Sequence, residues 1–129
     1  MQQTFDIFRI KRNDTRPAQQ LFAMVNANHE LQAISRRSNT ITFRFIPGDY
    51  FSIDPAPYLN CLNEEIVNRI QDTGELWVSH AIVDNKYCIR VRIVNSKTRF
   101  KDIEALLELV TRTGRLIRME WKERESTIN

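Results

Sequence analysis

Two hydrophobic rhythms alternate along this chain, one repeating every three to four residues and one every second residue, and their order predicts its elements. From Pro17 to Asn28, Leu21, Phe22, Met24 and Val25 gather on one side at helical spacing, and Pro17 suits a first helical turn. Upstream, Phe5, Ile7, Phe8 and Ile10 fit either a helical turn or a short strand, ending at the polar run from Lys11 to Arg16. Leu31 to Ser35 allows a short strand. Thr40 to Ile46 is a clear one, with Ile41, Phe43 and Phe45 on one face and Thr40, Thr42 and Arg44 on the other. Arg36, Arg37, Ser38 and Asn39 read as the turn between them, and Pro47 and Gly48 end the second strand. A helix bearing Leu59, Leu62, Ile66 and Ile70 follows, and Gly74 stands where a left-handed cap would stop it.

The best-defined hairpin runs from Leu76 to Val83, turns at Asp84-Asn85, and returns from Lys86 to Asn95. A two-residue turn fixes the register with Val83 opposite Lys86. Ile82/Tyr87, His80/Ile89, Val78/Val91 and Leu76/Ile93 then share one face, and Ala81/Cys88, Ser79/Arg90 and Trp77/Arg92 share the other. A last helix is expected from about Arg99 to Thr113, with Thr98 as N-cap, Gly114 as its stop, and an apolar stripe of Phe100, Ile103, Leu106, Leu107 and Val110. The charged tail from Arg115 to Asn129 is expected to dock briefly around Leu116, Ile117, Met119 and Trp121 and then fray.

This order predicts an α+β fold: a four-stranded antiparallel sheet with helices packed on one face. The opposite face, with Thr42, Arg44, Trp77, Ser79, Arg90 and Arg92, is left wet or pressed on a partner. Few glycines and prolines and no repeat or linker composition point to one domain over residues 1–129, its core about 17–114, with the N-terminal segment and the C-terminal tail peripheral.

Composition narrows the function classes. No apolar run approaches the roughly 18 residues of a membrane span, and the two cysteines, Cys61 and Cys88, suggest no disulfide framework. With no secretory leader pattern at the start, the expectation is a cytoplasmic protein with reduced thiols. The net charge of +3 comes from arginines spread along the chain, which argues against a nucleic-acid partner more than for one.

Several segments then fall into a known order: Ile41-Thr42-Phe43-Arg44-Phe45, Leu62-Asn63-Glu64, Ile70-Gln71-Asp72-Thr73-Gly74, Trp77-Val78-Ser79-His80, Tyr87-Cys88-Ile89-Arg90, Asn95, and Asp102-Ile103-Glu104-Ala105-Leu106-Leu107. Together they resemble the C-terminal small domain of group II pyridoxal-phosphate-dependent amino-acid decarboxylases, enzymes of aromatic amino acids, glutamate and diaminobutyrate. The resemblance covers roughly residues 17–114. It implies the small domain of a type I pyridoxal-phosphate fold, closing one side of a cleft whose cofactor is held by a separate large domain. By position it implies that Arg90 lies near the substrate carboxylate or supports that wall, a task suited to a permanently charged, bidentate guanidinium. Neither histidine is followed by lysine and no glycine-rich phosphate cradle occurs, so pyridoxal phosphate is implied for the family and not expected to bind this chain alone. The expected partners are a pyridoxal-phosphate-binding large domain on another chain, or further copies of this one.

The remaining chemistry-bearing residues have plainer readings. Trp77 and Arg92 suit a cross-strand cation–π contact. His80 falls on the core face and reads as a satisfied buried imidazole, and His29 can interact with the carbonyls ending a helix. Glu64 with Glu65, and Glu104 with Glu108, read as solvated helix faces, and Cys61 and Cys88 as small core or interface residues. Scattered histidines and cysteines predict no metal site. A reading from a different class is a non-catalytic binding or self-association module that uses the arginine-bearing sheet face toward RNA or protein.

Overall fold

The computed structural model describes residues 15–50, 56–75, 77–94 and 97–128. The pattern at Phe5 to Ile10, the proposed strand ends at Leu76 and Asn95, and the tail end at Asn129 lie outside them. Among the described residues three helices, α1 (Arg16–Ala27), α2 (Ala56–Asp72) and α3 (Phe100–Ile128), accompany four strands, β1 (Leu31–Arg37), β2 (Thr40–Phe45), β3 (Val78–Val83) and β4 (Lys86–Arg92). The strands form one antiparallel sheet in the order β1-β2-β4-β3, the α+β arrangement expected from the pattern.

Register follows the turns. Ser38 takes a positive φ of 53°, and Arg37 pairs with Thr40 across a turn shorter than the four residues expected. Asp84 and Asn85 both take positive φ, 50° and 64°, the mirror-image turn whose twist suits a hairpin, and Val83 pairs with Lys86 as the spacing requires. A register shift between Ala33 and Ser35 marks a bulge in β1.

One sheet face is dry. Ile41, Phe43, Phe45, Val78, Ile89 and Val91 are buried there against Leu21 and Val25 of α1, Leu62, Ile66 and Ile70 of α2, and Ile103, Val110 and Ile117 of α3. Gly74 ends α2 with φ +92°, and its amide donates to the Gln71 carbonyl at 2.9 Å.

The last helix departs from expectation at both ends. Its cap is Arg99 rather than Thr98: the Arg99 amide donates to an Asp102 carboxylate oxygen at 2.9 Å, and Asp102 stands at the third helical position. That shift by one residue puts an acid, not Lys101, where a capping box needs it. Gly114 does not stop the helix, which continues to Ile128. A Cβ at Gly114 would lie 2.7 Å from the Phe45 ring, so this glycine is a close-approach position inside a helix and not a cap. The tail expected to fray is helical and buries Ile117 fully, carrying the core beyond residue 114.

Ion pairs hold that second half. Arg115 grips Glu30 through both Nε and Nη2, Arg69 of α2 makes a two-pronged contact to Glu120, and Asp49 accepts from Arg118 at 2.8 Å and Lys122 at 2.7 Å. Arg118 also donates to the Tyr58 hydroxyl at 2.7 Å, and Trp121 meets the Tyr58 ring edge-on. No helix among the described residues is long and apolar enough to cross a membrane.

Candidate functional site

The sheet face away from the helices collects the cations. Alternation places Arg37 of β1, Arg44 of β2, and Lys86, Arg90 and Arg92 of β4 on it, interleaved with Thr40, Thr42 and Ser79. None of the four strands contains an aspartate or glutamate, so the charge is not balanced within the sheet.

Arg90 sits on an interior strand, with Thr42 of β2 on one side and Ser79 of β3 on the other. Its Nε donates to the Ser79 hydroxyl at 3.1 Å, and Arg44 likewise donates to the Gln32 carboxamide at 2.7 Å. Each arginine is thus steered by a cross-strand partner while remaining at least partly exposed. Thr42 and Cys88 are buried on this face, the one away from the helices of the described residues. The charges of Arg44 and Lys86 both act on the Cys88 thiol, favouring its ionised form. Burial pushes this thiol's pKa up despite them, which keeps it protonated and unsuited to nucleophilic work.

Two asparagines set the position of these strands, Asn63, which the sequence marks only as part of the Leu62-Asn63-Glu64 segment, and Asn60, which it does not mark. Asn63, fully buried, accepts from the Phe45 amide at 2.8 Å and donates to the Phe45 and Leu59 carbonyls at 3.0 and 2.9 Å. Asn60, one helical turn earlier, accepts from the Tyr87 amide and donates to the Asn85 carbonyl. Helix α2 thereby clamps the end of β2 and the start of β4, the two strands that carry Arg44 and Arg90. The available signal was a polar residue inside an apolar stripe: Asn63 shares the buried side with Leu59, Leu62, Ile66 and Ile70. Asn39 closes the other end, donating to the Ile93 carbonyl at 2.8 Å.

The other singled-out residues do not converge. His80 is exposed, not a buried imidazole; its ring stacks on Tyr87 at 4.9 Å, because β3 is an edge strand whose core face is covered only at its Val78 end. Ile82, farther along, is 61% exposed. Trp77 gives its indole N–H to Glu75, and its carbonyl accepts from the Arg92 amide. His29 and Cys61 are exposed, Glu64, Glu104 and Glu108 face solvent, and Glu65 pairs with Arg69. Among the described residues, no three His, Cys, Asp or Glu side chains are grouped to hold a metal ion.

A pyridoxal-phosphate site needs a lysine beside a ring-stacking side chain and a cradle for the phosphate. Lys86, Lys97, Lys101 and Lys122 are scattered over the hairpin, the loop before α3 and that helix, and His80 is occupied by Tyr87. The described residues do not fit that group.

No protein-family model and no curated protein sequence matches the chain. Solved structures do. The TDC of Oryza sativa, with PLP and tryptamine, matches 82% of this chain at 20% identity and a TM-score of 0.69. Its fold is that of a segment of the group II pyridoxal-phosphate-dependent decarboxylases. The glutamate decarboxylase domain of diaminobutyrate-pyruvate transaminase and L-2,4-diaminobutyrate decarboxylase from Vibrio parahaemolyticus matches 84% at 19% identity, with a TM-score of 0.65. Catharanthus roseus tryptophan decarboxylase in complex with L-tryptophan matches 81% at 20% identity, with a TM-score of 0.64. The chain spans only 22%, 22% and 21% of these decarboxylase chains.

Proposed function

We propose that this chain serves as the C-terminal small domain of a pyridoxal-phosphate-dependent amino-acid decarboxylase, lending one wall of the active-site cleft to a cofactor-binding large domain. The observation that carries the reading is the cationic open sheet face on a decarboxylase fold: cations on three strands, no carboxylate in any strand, and Arg90 at its interior. In this role the large domain supplies the cofactor, whose chemistry is that of an electron sink for the electrons left when carbon dioxide departs. This chain supplies shape and charge. Arg90, steered by Ser79, holds a substrate carboxylate or stiffens the wall behind it, while Asn60 fixes the start of its strand and Asn63 fixes the neighbouring β2.

Two measurements test this. Mixing the purified chain with pyridoxal phosphate is expected to give no visible band that a single lysine substitution removes; such a band would overturn the reading. Co-expression with a large domain bearing a His-Lys pair is expected to yield decarboxylation, reduced about tenfold or more by Arg90→Ala with cofactor binding retained. Turnover indifferent to that substitution would remove Arg90 from the wall.

The same uncompensated charge favours one second reading, an RNA-binding module, for which a gel shift with single-stranded RNA that weakens steeply with salt is the expected signature. Symmetric self-association through this face is disfavoured physically, since it would bring like charges together.

A further inference from the structure

A cavity of about 600 Å³ opens at one end of the sheet, between the last residues of the β3–β4 hairpin and the first turns of α3. That is room for a drug-sized organic molecule. Trp77, Leu106 and Leu109 give it an apolar wall, and Arg92 from the strand and Arg112 from the helix both line it.

The charges around the cavity are unequal in what they already do. Glu75 accepts the Trp77 indole N–H and Asp102 accepts the Arg99 amide as the cap of α3, so both lining carboxylates are oriented by the fold while keeping their charge, and with Lys97 the lining holds three cations to two anions. Arg92 and Arg112 differ: among the described residues neither guanidinium has a hydrogen bond or an ion pair. Arg69, Arg115 and Arg118, by contrast, are engaged with Glu120, Glu30 and Asp49. Helix α3 pairs its arginines at 115 and 118 and leaves the one at 112, at the cavity, to solvent.

The geometry points to this cavity as a binding site for a small organic carboxylate with an aromatic or branched apolar body. The apolar part lies against Trp77, Leu106 and Leu109, and the carboxylate is taken by Arg92 and Arg112 together. Two guanidiniums from different elements favour an anion over a neutral molecule, and the apolar wall favours a carboxylic acid with a hydrophobic body over inorganic phosphate. The site adjoins the face proposed as a cleft wall, sharing Arg92 with it, but does not depend on the role of Arg90.

Calorimetric titration of the full chain with a panel of aryl and branched alkyl carboxylates, 3-phenylpropionate among them, tests it. Saturable one-site binding is expected for at least one acid, at least about tenfold weaker for its primary amide and for each of Arg92→Gln and Arg112→Gln with unchanged circular dichroism. In a Trp121→Phe background, Trp77 fluorescence is expected to follow the same isotherm. Equal affinity for acid and amide, affinity indifferent to both arginine substitutions, displacement by equimolar inorganic phosphate, or no binding by any acid of the panel would each overturn the proposal.

Discussion

The two faces of the sheet are built from the same strands and differ in everything else. On one, Phe43 and Phe45 are completely buried beneath three helices; on the other, Arg44 between them reaches solvent beside Arg90. The first face is held by the hydrophobic effect and by shape, the second only by cross-strand hydrogen bonds to serine and glutamine. The lesson is a division of labour at single-residue alternation: Arg44 of β2 and Arg90 and Arg92 of β4 can serve a partner because their odd-numbered neighbours carry the fold.

The largest effect that would break or sharpen this comparison is Phe43→Ala, expected to cost about 3–5 kcal/mol in denaturant unfolding. Asn63→Leu is expected to cost about 2–4 kcal/mol, because it strands the Phe45 amide and carbonyl in a buried place where leucine can pair with neither. Gly114→Ala comes next. Helix propensity alone would predict a gain of about 1 kcal/mol, but the contact with the Phe45 ring reverses the sign, and a net loss of about 1–2 kcal/mol in thermal melts is expected.

Most of the fold was legible in the sequence, because turn chemistry and periodicity agreed. Asp84-Asn85 set the hairpin register, and Ile41, Phe43 and Phe45 named the core face without ambiguity. What was missed lies where tertiary contacts override a local signal. Gly114 carries the same letter as Gly74, yet one sits at φ +92° after a helix and the other lies inside a helix against a phenylalanine ring. The half of α3 beyond Gly114 buries Ile117 and is pinned by ion pairs to Glu30, Asp49 and Arg69, partners between 51 and 85 residues away that no periodicity reveals. His80 was misplaced because alternation gives the face and not how far the helices extend over it. The candidate site was legible as a face carrying Arg44, Arg90 and Arg92, while its positioning residues Asn60 and Asn63 were not.

Smaller effects separate the remaining contributions. Asp49 has its pKa held down from 3.8 to about 2 by hydrogen bonds from Lys122 and Arg118. A depressed carboxylate contributes stability that is fully present above its ordinary pKa and lost as pH falls through the folded value. The melting difference between the native chain and Asp49→Asn is therefore expected to hold at neutral pH and to vanish toward about pH 2, with a size under about 1 kcal/mol because the pair is half-exposed. Smallest of all, Arg44→Ala and Arg90→Ala are expected to change unfolding free energy by no more than about 0.5 kcal/mol. A cost comparable with that of Phe43→Ala would mean that the open face also carries the fold.

The most direct test of that face as a docking wall is arginine footprinting with phenylglyoxal, read by mass spectrometry, with and without a pyridoxal-phosphate-binding large domain. The account predicts protection of Arg44 and Arg90 in the complex, with Arg124 on the outer end of α3 modified at its free rate. Protection of Arg124 with Arg44 and Arg90 left fully reactive would contradict it.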